Sequence, residues 1–202
     1  MAAQLTDDEL PSDPIAFVQG WLADAQAAGL EQPDAMTLAT VTPDRRPAAR
    51  AVLLKGLDER GFAFFTNYES PKAAQLDGNP HAALVLLWLP LHRQVRVSGT
   101  VARLGAEESD AYFATRPRGS QLGAWASQQS RPLPDRGVLE ERWAALDARY
   151  GSEPVPRPPH WGGYRVDPEA IEVWQGRANR LHDRFLYTRT AAGGWERARL
   201  QP

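Results

Sequence analysis

The 202-residue chain contains no cysteine, which excludes a disulfide framework, a thiolate nucleophile and cysteine-ligated zinc. Lysine is nearly missing too: only Lys55 and Lys72, against 21 arginines. No apolar run approaches the ~20 residues of a membrane span, so no membrane partner is expected. Residues 1–44 hold eight acids and no lysine or arginine, a charge of −8, so the rest of the chain carries +6 of the net −2. A leader without one basic residue is not expected to be a secretory signal or transit peptide. With the missing cysteine, this fits a cytoplasmic protein. No basic tract or nucleic-acid motif is present, so the positive part suits small anions rather than nucleic acid. His81, His92, His160 and His182 show no metal-ligand spacing and there is no HExxH, so no metal is expected. The absence of GxGxxG and of βαβ alternation rules against a dinucleotide-binding α/β fold.

What is present suits one soluble domain. Apolar content of 43% and charged content of 24% are ordinary for a globular protein with a sizeable core. Residues 1–12 are acidic and polar and read as a flexible arm, leaving 13–202 as a single domain. Asp13-Pro14 opens a helix that Gly29 closes. From Met36 the apolar period changes to two. Strands are expected at 36–43, 47–55 and 61–67, with 44–46 as a turn. Ser70-Pro71 caps a short helix through Leu76. An antiparallel pair follows at 81–88 and 93–104, then helices at 106–115, around 121–127 and at 135–150. Strands resume at 162–166, 170–174 and 185–189, and a short one closes the chain near 195–200. Many antiparallel strands with a few interposed helices predict a mainly β protein, a barrel decorated by peripheral α-helices.

The chemistry concentrates in a few stretches. In WQGRANRLHDRFLY (174–187), an extended second half would project Arg180, His182 and Arg184 from one face, about 6–7 Å apart. That row suits a flat anionic or electron-rich ligand, or else it is the wet side of an edge strand. Arg50 and Lys55 end the run RAVLLK; five residues apart on a strand they face opposite ways and should reach different ligands. Thr66 with Ser70-Pro71-Lys72 lies at a helix N-terminus, where backbone N–H groups favour an anion or the serine simply caps the helix. In YFATRPRGS, Tyr112 and Arg116 are i, i+4 neighbours with Ser120 just beyond: hydroxyl, guanidinium and hydroxyl converging on one point is good phosphate chemistry. Gln94, Gln129, Ser130 and Trp174 could add amide, hydroxyl and aromatic contacts.

Jointly and in order, RAVLLK, FFTN-x-x-S-x-K, RQVRVSG, YFATRPRGSQLGAWAS-x-QS and WGGYRV-x-P-x-x-IE-x-WQG…RLHDRF resemble the pyridoxine (pyridoxamine) 5′-phosphate oxidase family from about Met36 onward. The resemblance implies an FMN-binding split β-barrel, antiparallel and of Greek-key type, assembled as a homodimer with FMN at the interface. It implies a cofactor set of Arg50, Ala51, Val52, Leu53, Leu54, Lys55, Phe65, Thr66, Lys72, Gln94, Gln129, Ser130, Trp174 and Arg184. It implies a substrate set of Lys55, Tyr112, Arg116, Ser120, Arg180 and His182, with Arg180 and His182 nearest the chemistry. The implied reaction oxidises pyridoxamine or pyridoxine 5′-phosphate to pyridoxal 5′-phosphate, with dioxygen as acceptor and hydrogen peroxide as product. Two positions depart from the pattern: Phe65 stands where tyrosine is common, and Pro71 where an arginine commonly lies beside the flavin phosphate. A flavin reductase on the same fold, or a carrier of FMN or pyridoxal phosphate, are the alternatives. A reductase would have no need for the Tyr112/Arg116/Ser120 cluster or the Arg180/His182 pair, and steady peroxide production with pyridoxamine phosphate would separate an oxidase from a carrier.

Overall fold

The structure, a computed structural model, describes residues 4–8 and 10–202. Five helices and nine strands are formed among the described residues, and every strand pairing is antiparallel. Helix α1 spans Pro14–Ala27, with the Asp13 carboxylate accepting from the Ile15 N–H at 2.9 Å as the cap. Strands β1 (Ala35–Val41) and β2 (Pro47–Leu53) form the first hairpin. Short β3 (Gly56–Asp58) pairs with β4 (Gly61–Asn67), and α2 (Pro71–Gly78) follows. Then come β5 (His81–Trp88) and β6 (Arg93–Arg103), and the helices α3 (Ala106–Thr115), α4 (Arg118–Ala126) and α5 (Arg136–Tyr150). The chain closes with β7 (Trp161–Gln175), β8 (Asp183–Arg189) and β9 (Trp195–Arg199).

The sheet runs β2-β1-β5-β6-β7-β4-β3, and β8 and β9 branch from β7. The period-two pattern sets which side is the core. Leu38, Leu84, Leu86, Val95, Val97, Ile171, Val173, Phe185 and Tyr187 all point inward and are essentially fully buried. Each such side chain contributes roughly 1.5–3 kcal/mol over leaving it exposed. Phe113, Leu122, Val155 and Trp161 make a second, smaller cluster under α3 and α4.

Strand β7 organises the sheet. The sequence suggests two strands separated by Asp167-Pro168-Glu169, but the structure has one strand of 15 residues. Its first half pairs with β4 and its second with β8, while β6 runs along both. The apparent break is a β-bulge: register shifts between Ser98 and Gly99, which face Ala170 and Pro168, leaving Glu169 as the extra residue. A proline fits there because no ladder donor is needed. Gly99 is required: a Cβ on it would lie 2.0 Å from the Asp167 carbonyl oxygen.

The arm expected over residues 1–12 falls partly on residues 1–3 and 9, outside the described residues. Its described part lies along β8 and β9. The Leu10 side chain is buried, Arg197 donates to the Leu10 and Asp7 carbonyls, and Leu5 N–H donates to Asp183. None of the described helices is long and apolar enough to cross a membrane.

Candidate active site

Strand β2 presents two different faces. Ala48, Arg50 and Val52 turn toward the protein, while Ala49, Ala51 and Leu53 are exposed. Leu54 is then buried and Lys55 exposed, so Arg50 and Lys55 leave the strand in opposite directions. Lys55 Nζ lies 2.6 Å from the Asp34 carboxylate.

Arg50 donates to the Leu38 carbonyl at 3.2 Å, to Thr40 Oγ1 at 2.6 Å and to Gln75 Oε1 at 2.9 Å. Lys72, in the first turn of α2, donates to Thr66 Oγ1 at 3.1 Å, Ser70 Oγ at 3.1 Å and Gln129 Oε1 at 2.7 Å. Among the described residues neither cation is paired with a carboxylate. Burial, and then the neighbouring Arg50 charge, pull the Lys72 ammonium below the usual lysine value; burial alone lowers Arg50. Ser70 occupies the N-cap position of α2, yet its hydroxyl makes no cap bond and instead accepts from Lys72. The capping hydroxyl is thus spent on the lysine rather than on the first-turn N–H groups of α2.

Beside this pair opens a cleft of about 410 Å³ lined by Leu53, Lys55, Phe65, Thr66, Tyr112, Thr115, Arg116, Pro117, Ser120, Gln129 and Trp161. Three near-parallel rings form one wall: Phe65 and Tyr112 centroids are 3.9 Å apart, and Phe65 and Trp161 5.4 Å. They meet because β4 and β7 pair Phe65 with Gly163 and Asn67 with Trp161. The Arg116 guanidinium lies 4.6 Å over the Trp161 ring. Its Nη1 is buried without a hydrogen-bond partner, and burial lowers the group below the usual arginine value. A buried, unpartnered N–H of a cation costs about 1–3 kcal/mol or more, so it marks a place where an anionic acceptor is expected.

A second group gathers at the other end of β7, roughly 40 Å of strand contour from Trp161. Gln94 on β6, Trp174 on β7 and Arg184 on β8 are cross-strand neighbours on one face. Arg184 Nε donates to Glu172 at 2.9 Å and its Nη1 to the Gln201 carbonyl at 2.9 Å; Glu172 also holds Arg96 at 3.0 Å. The expected row of Arg180, His182 and Arg184 on one extended strand is not formed. Residues 178–180 make a 3-10 turn, Asn179 and Arg180 have φ of 56° and 60°, and β8 starts only at Asp183. His182 instead packs its ring 4.6 Å from that of Trp174, and its Nδ1 accepts the Arg177 N–H at 3.1 Å. In the neutral ring the proton is therefore on Nε2.

The structure thus brings together Lys55, Phe65, Thr66, Tyr112, Arg116, Ser120 and Gln129 in one cleft, with Arg50 and Lys72 adjoining it. Ala51 sits on the exposed face of β2, Val52 on the inner face with Leu54 buried behind it, and Ser130 follows Gln129 in a left-handed conformation with φ of 69°. Gln94, Trp174, Arg180, His182 and Arg184 do not line this cleft. Sequence reasoning did not assign Thr40 and Gln75, which orient Arg50, nor Asp34, Glu172 and Trp161. Trp161 stood inside WGGYRV, but its position under Arg116 depends on the β4–β7 register. The donor set fits an FMN phosphate, since Arg50 and Lys72 hold only neutral partners; nearby Arg116 keeps an unused buried donor. A larger cleft of about 630 Å³ lies near Arg60 and Arg165, but both arginines are already paired with Asp58.

Comparison with known proteins agrees along the whole chain. A family profile described as pyridoxamine 5′-phosphate oxidase matches residues 22–150, and one described as the pyridoxine 5′-phosphate oxidase C-terminal dimerisation region matches 161–202. A pyridoxine/pyridoxamine 5′-phosphate oxidase of Rubrobacter xylanophilus is 60% identical over 200 residues, covering 99% of this chain and 92% of the relative. The crystal structure of PhzG from Burkholderia lata 383 in complex with tetrahydrophenazine-1-carboxylic acid is 34% identical and superposes with a TM-score of 0.92, covering 100% of this chain and 99% of that one. A pyridoxamine 5′-phosphate oxidase-related, FMN binding protein of Nostoc punctiforme, 20% identical, shares the fold with a TM-score of 0.78 over 96% of this chain and 100% of that one.

Proposed function

The chain belongs to the pyridoxamine 5′-phosphate oxidase family, and from that premise we propose that it is an FMN-dependent, cytoplasmic oxidase of vitamin B6 metabolism. It converts pyridoxamine and pyridoxine 5′-phosphate to pyridoxal 5′-phosphate, with dioxygen as acceptor and hydrogen peroxide as product. One observation carries the reading: Lys55, Tyr112, Arg116 and Ser120 share a cleft in which a buried arginine donor has no acceptor. A substrate phosphate supplies that acceptor. Arg50 and Lys72, with Thr66, Gln129 and Ser130, take the phosphate of FMN. FMN held there would supply the redox chemistry, a two-electron oxidation at the 4′ carbon of the substrate with dioxygen as the final acceptor.

The remaining set reaches a site from the partner subunit of a homodimer, which the separation of the two groups along β7 favours. Gln94, Trp174 and Arg184 then close over the flavin, and Arg180 and His182 hold the pyridine ring in reacting geometry. With Nδ1 occupied by a backbone amide, the neutral His182 donates from Nε2 and orients the substrate; it does not take a proton there. Arg180 stays protonated and acts as a donor and a charge.

The test is an absorbance spectrum of the purified protein, followed under air with pyridoxamine 5′-phosphate. Flavin bands with steady aldehyde and peroxide formation are expected. Flavin bands without turnover would leave a carrier, and reduction of added flavin without aldehyde would leave a reductase.

A further inference from the structure

The cleft is lined by two cations, Lys55 and Arg116, and by no acid. One carboxylate nevertheless bears on it through Lys55. Asp34 Oδ2 lies 2.6 Å from Lys55 Nζ, with the two side chains 23% and 30% exposed. Backbone bonds fix both residues. The Asp34 carbonyl accepts the N–H of Leu54 at 2.8 Å, and Lys55 N–H donates to the Ala63 carbonyl at 2.8 Å. The register that places Ala35 opposite Leu53 puts Asp34 at the end of β2, where Lys55 leaves it.

We propose that Asp34 is a specificity-determining counter-charge that sets how tightly the cleft grips a phosphate. It rests on the reading of Lys55 as a ligand of the substrate phosphate. Asp34 holds the ammonium of Lys55 where it lines the cleft. An ammonium has three donors, so a phosphate can take the others while the carboxylate stays one contact behind, facing the phosphate charge across Lys55. Two anions on one ammonium repel, and the repulsion lowers phosphate affinity without moving the lysine. Because substrate and product carry the same phosphate, the counter-charge loosens both alike, exchanging substrate affinity for faster product release.

The experiment uses the FMN-loaded enzyme and inorganic phosphate as the probe. Asp34→Asn keeps an acceptor oxygen toward Lys55 and the backbone carbonyl that holds Leu54, and removes only the charge. The inhibition constant of inorganic phosphate and the KM for pyridoxamine 5′-phosphate should both fall about three- to tenfold, with a gain that shrinks as salt is added. Inhibition by pyridoxamine, which has no phosphate, should not change. Unchanged or weaker inhibition by inorganic phosphate overturns the proposal. So does an equal shift for pyridoxamine, which would make Asp34 a structural residue. Should the asparagine variant lose thermal stability, Asp34→Ser must reproduce the tightening, or the proposal falls. Lys55→Met checks the underlying reading separately: phosphate inhibition at the wild-type value there removes Lys55 as a ligand, and this inference with it.

Discussion

Replacing Arg116 by alanine separates a substrate role from a structural one, because the fold makes little use of this side chain. Its guanidinium has three identifiable energy contributions in the folded protein, the smallest a contact with the Phe113 ring at 5.5 Å. The contact over Trp161 at 4.6 Å is worth about 0.5–2 kcal/mol. The buried Nη1 without an acceptor costs about 1–3 kcal/mol. These oppose each other, so Arg116→Ala should leave stability between about 1 kcal/mol lower and about 2.5 kcal/mol higher, at most a few degrees in Tm for a chain of this size. Substrate binding should respond differently. A charge-assisted hydrogen bond to phosphate is worth about 1.5–3 kcal/mol, so kcat/KM should fall about 10- to 150-fold. FMN content should stay at the wild-type level. Steady-state kinetics under air, the flavin-to-protein absorbance ratio and a thermal melt decide it together. A large drop in Tm with kcat/KM unchanged would refute the reasoning, because the arginine would then be serving the fold.

Lys72→Met should weaken FMN about 10- to 150-fold while making the FMN-free protein more stable, since the ammonium is half-buried next to Arg50 without a carboxylate; titration and melts of the FMN-free form measure both. The pH sign follows from the lowered Lys72 value. Below the ordinary 10.5 the unfolded chain keeps a proton that the folded chain releases sooner, so stability of the FMN-free protein should rise with pH through that window, and the methionine variant should lose that slope. Pro71, exposed in the first turn of α2 beside Lys72, occupies a place from which a longer side chain could reach the same anion. Pro71→Arg should tighten FMN about 2- to 12-fold, with a gain that shrinks in salt; unchanged binding at two salt concentrations would place residue 71 away from the phosphate. Dilution that splits the dimer should release FMN, and added FMN should oppose the splitting; a monomer that keeps its flavin on size-exclusion chromatography would contradict a shared site.

Local patterns made much of this architecture readable. The limits of β4, β5 and α3 follow from short runs bounded by turn or cap residues, the two strands being nearly continuous in apolar residues. Two features were not local. The Asp-Pro-Glu interruption of β7 looks like a strand end, and only Gly99 on the neighbouring strand makes it a bulge. The segment around Arg180 looks extended by alternation, but Asn179 and Arg180 are left-handed; the asparagine is a residue type that favours this conformation, the arginine gives no such sign. The same distinction holds within the cleft. Tyr112, Arg116 and Ser120 lie within nine residues, across the end of α3 and the start of α4, and could be grouped from spacing alone. The partners of the cations could not: Thr40, Gln75 and Asp34 meet Arg50 and Lys55 through strand register and the packing of α2 on β1. Trp161 belongs with them, since pairing across β4 brings it under Arg116.

The length of β7 has a genetic consequence. One strand carries Trp161 at one end and Trp174 at the other, so under the proposed dimer lesions in the two groups belong to different halves of a shared site. A chain disabled at Arg116 and a chain disabled at His182 would each be inactive alone. Co-expressed, they would form mixed dimers in which one site collects both lesions and the other collects none. With random pairing, half the dimers are mixed, so about a quarter of all sites should recover. Two null alleles of this gene would then complement each other, and pairs drawn from the same group would not.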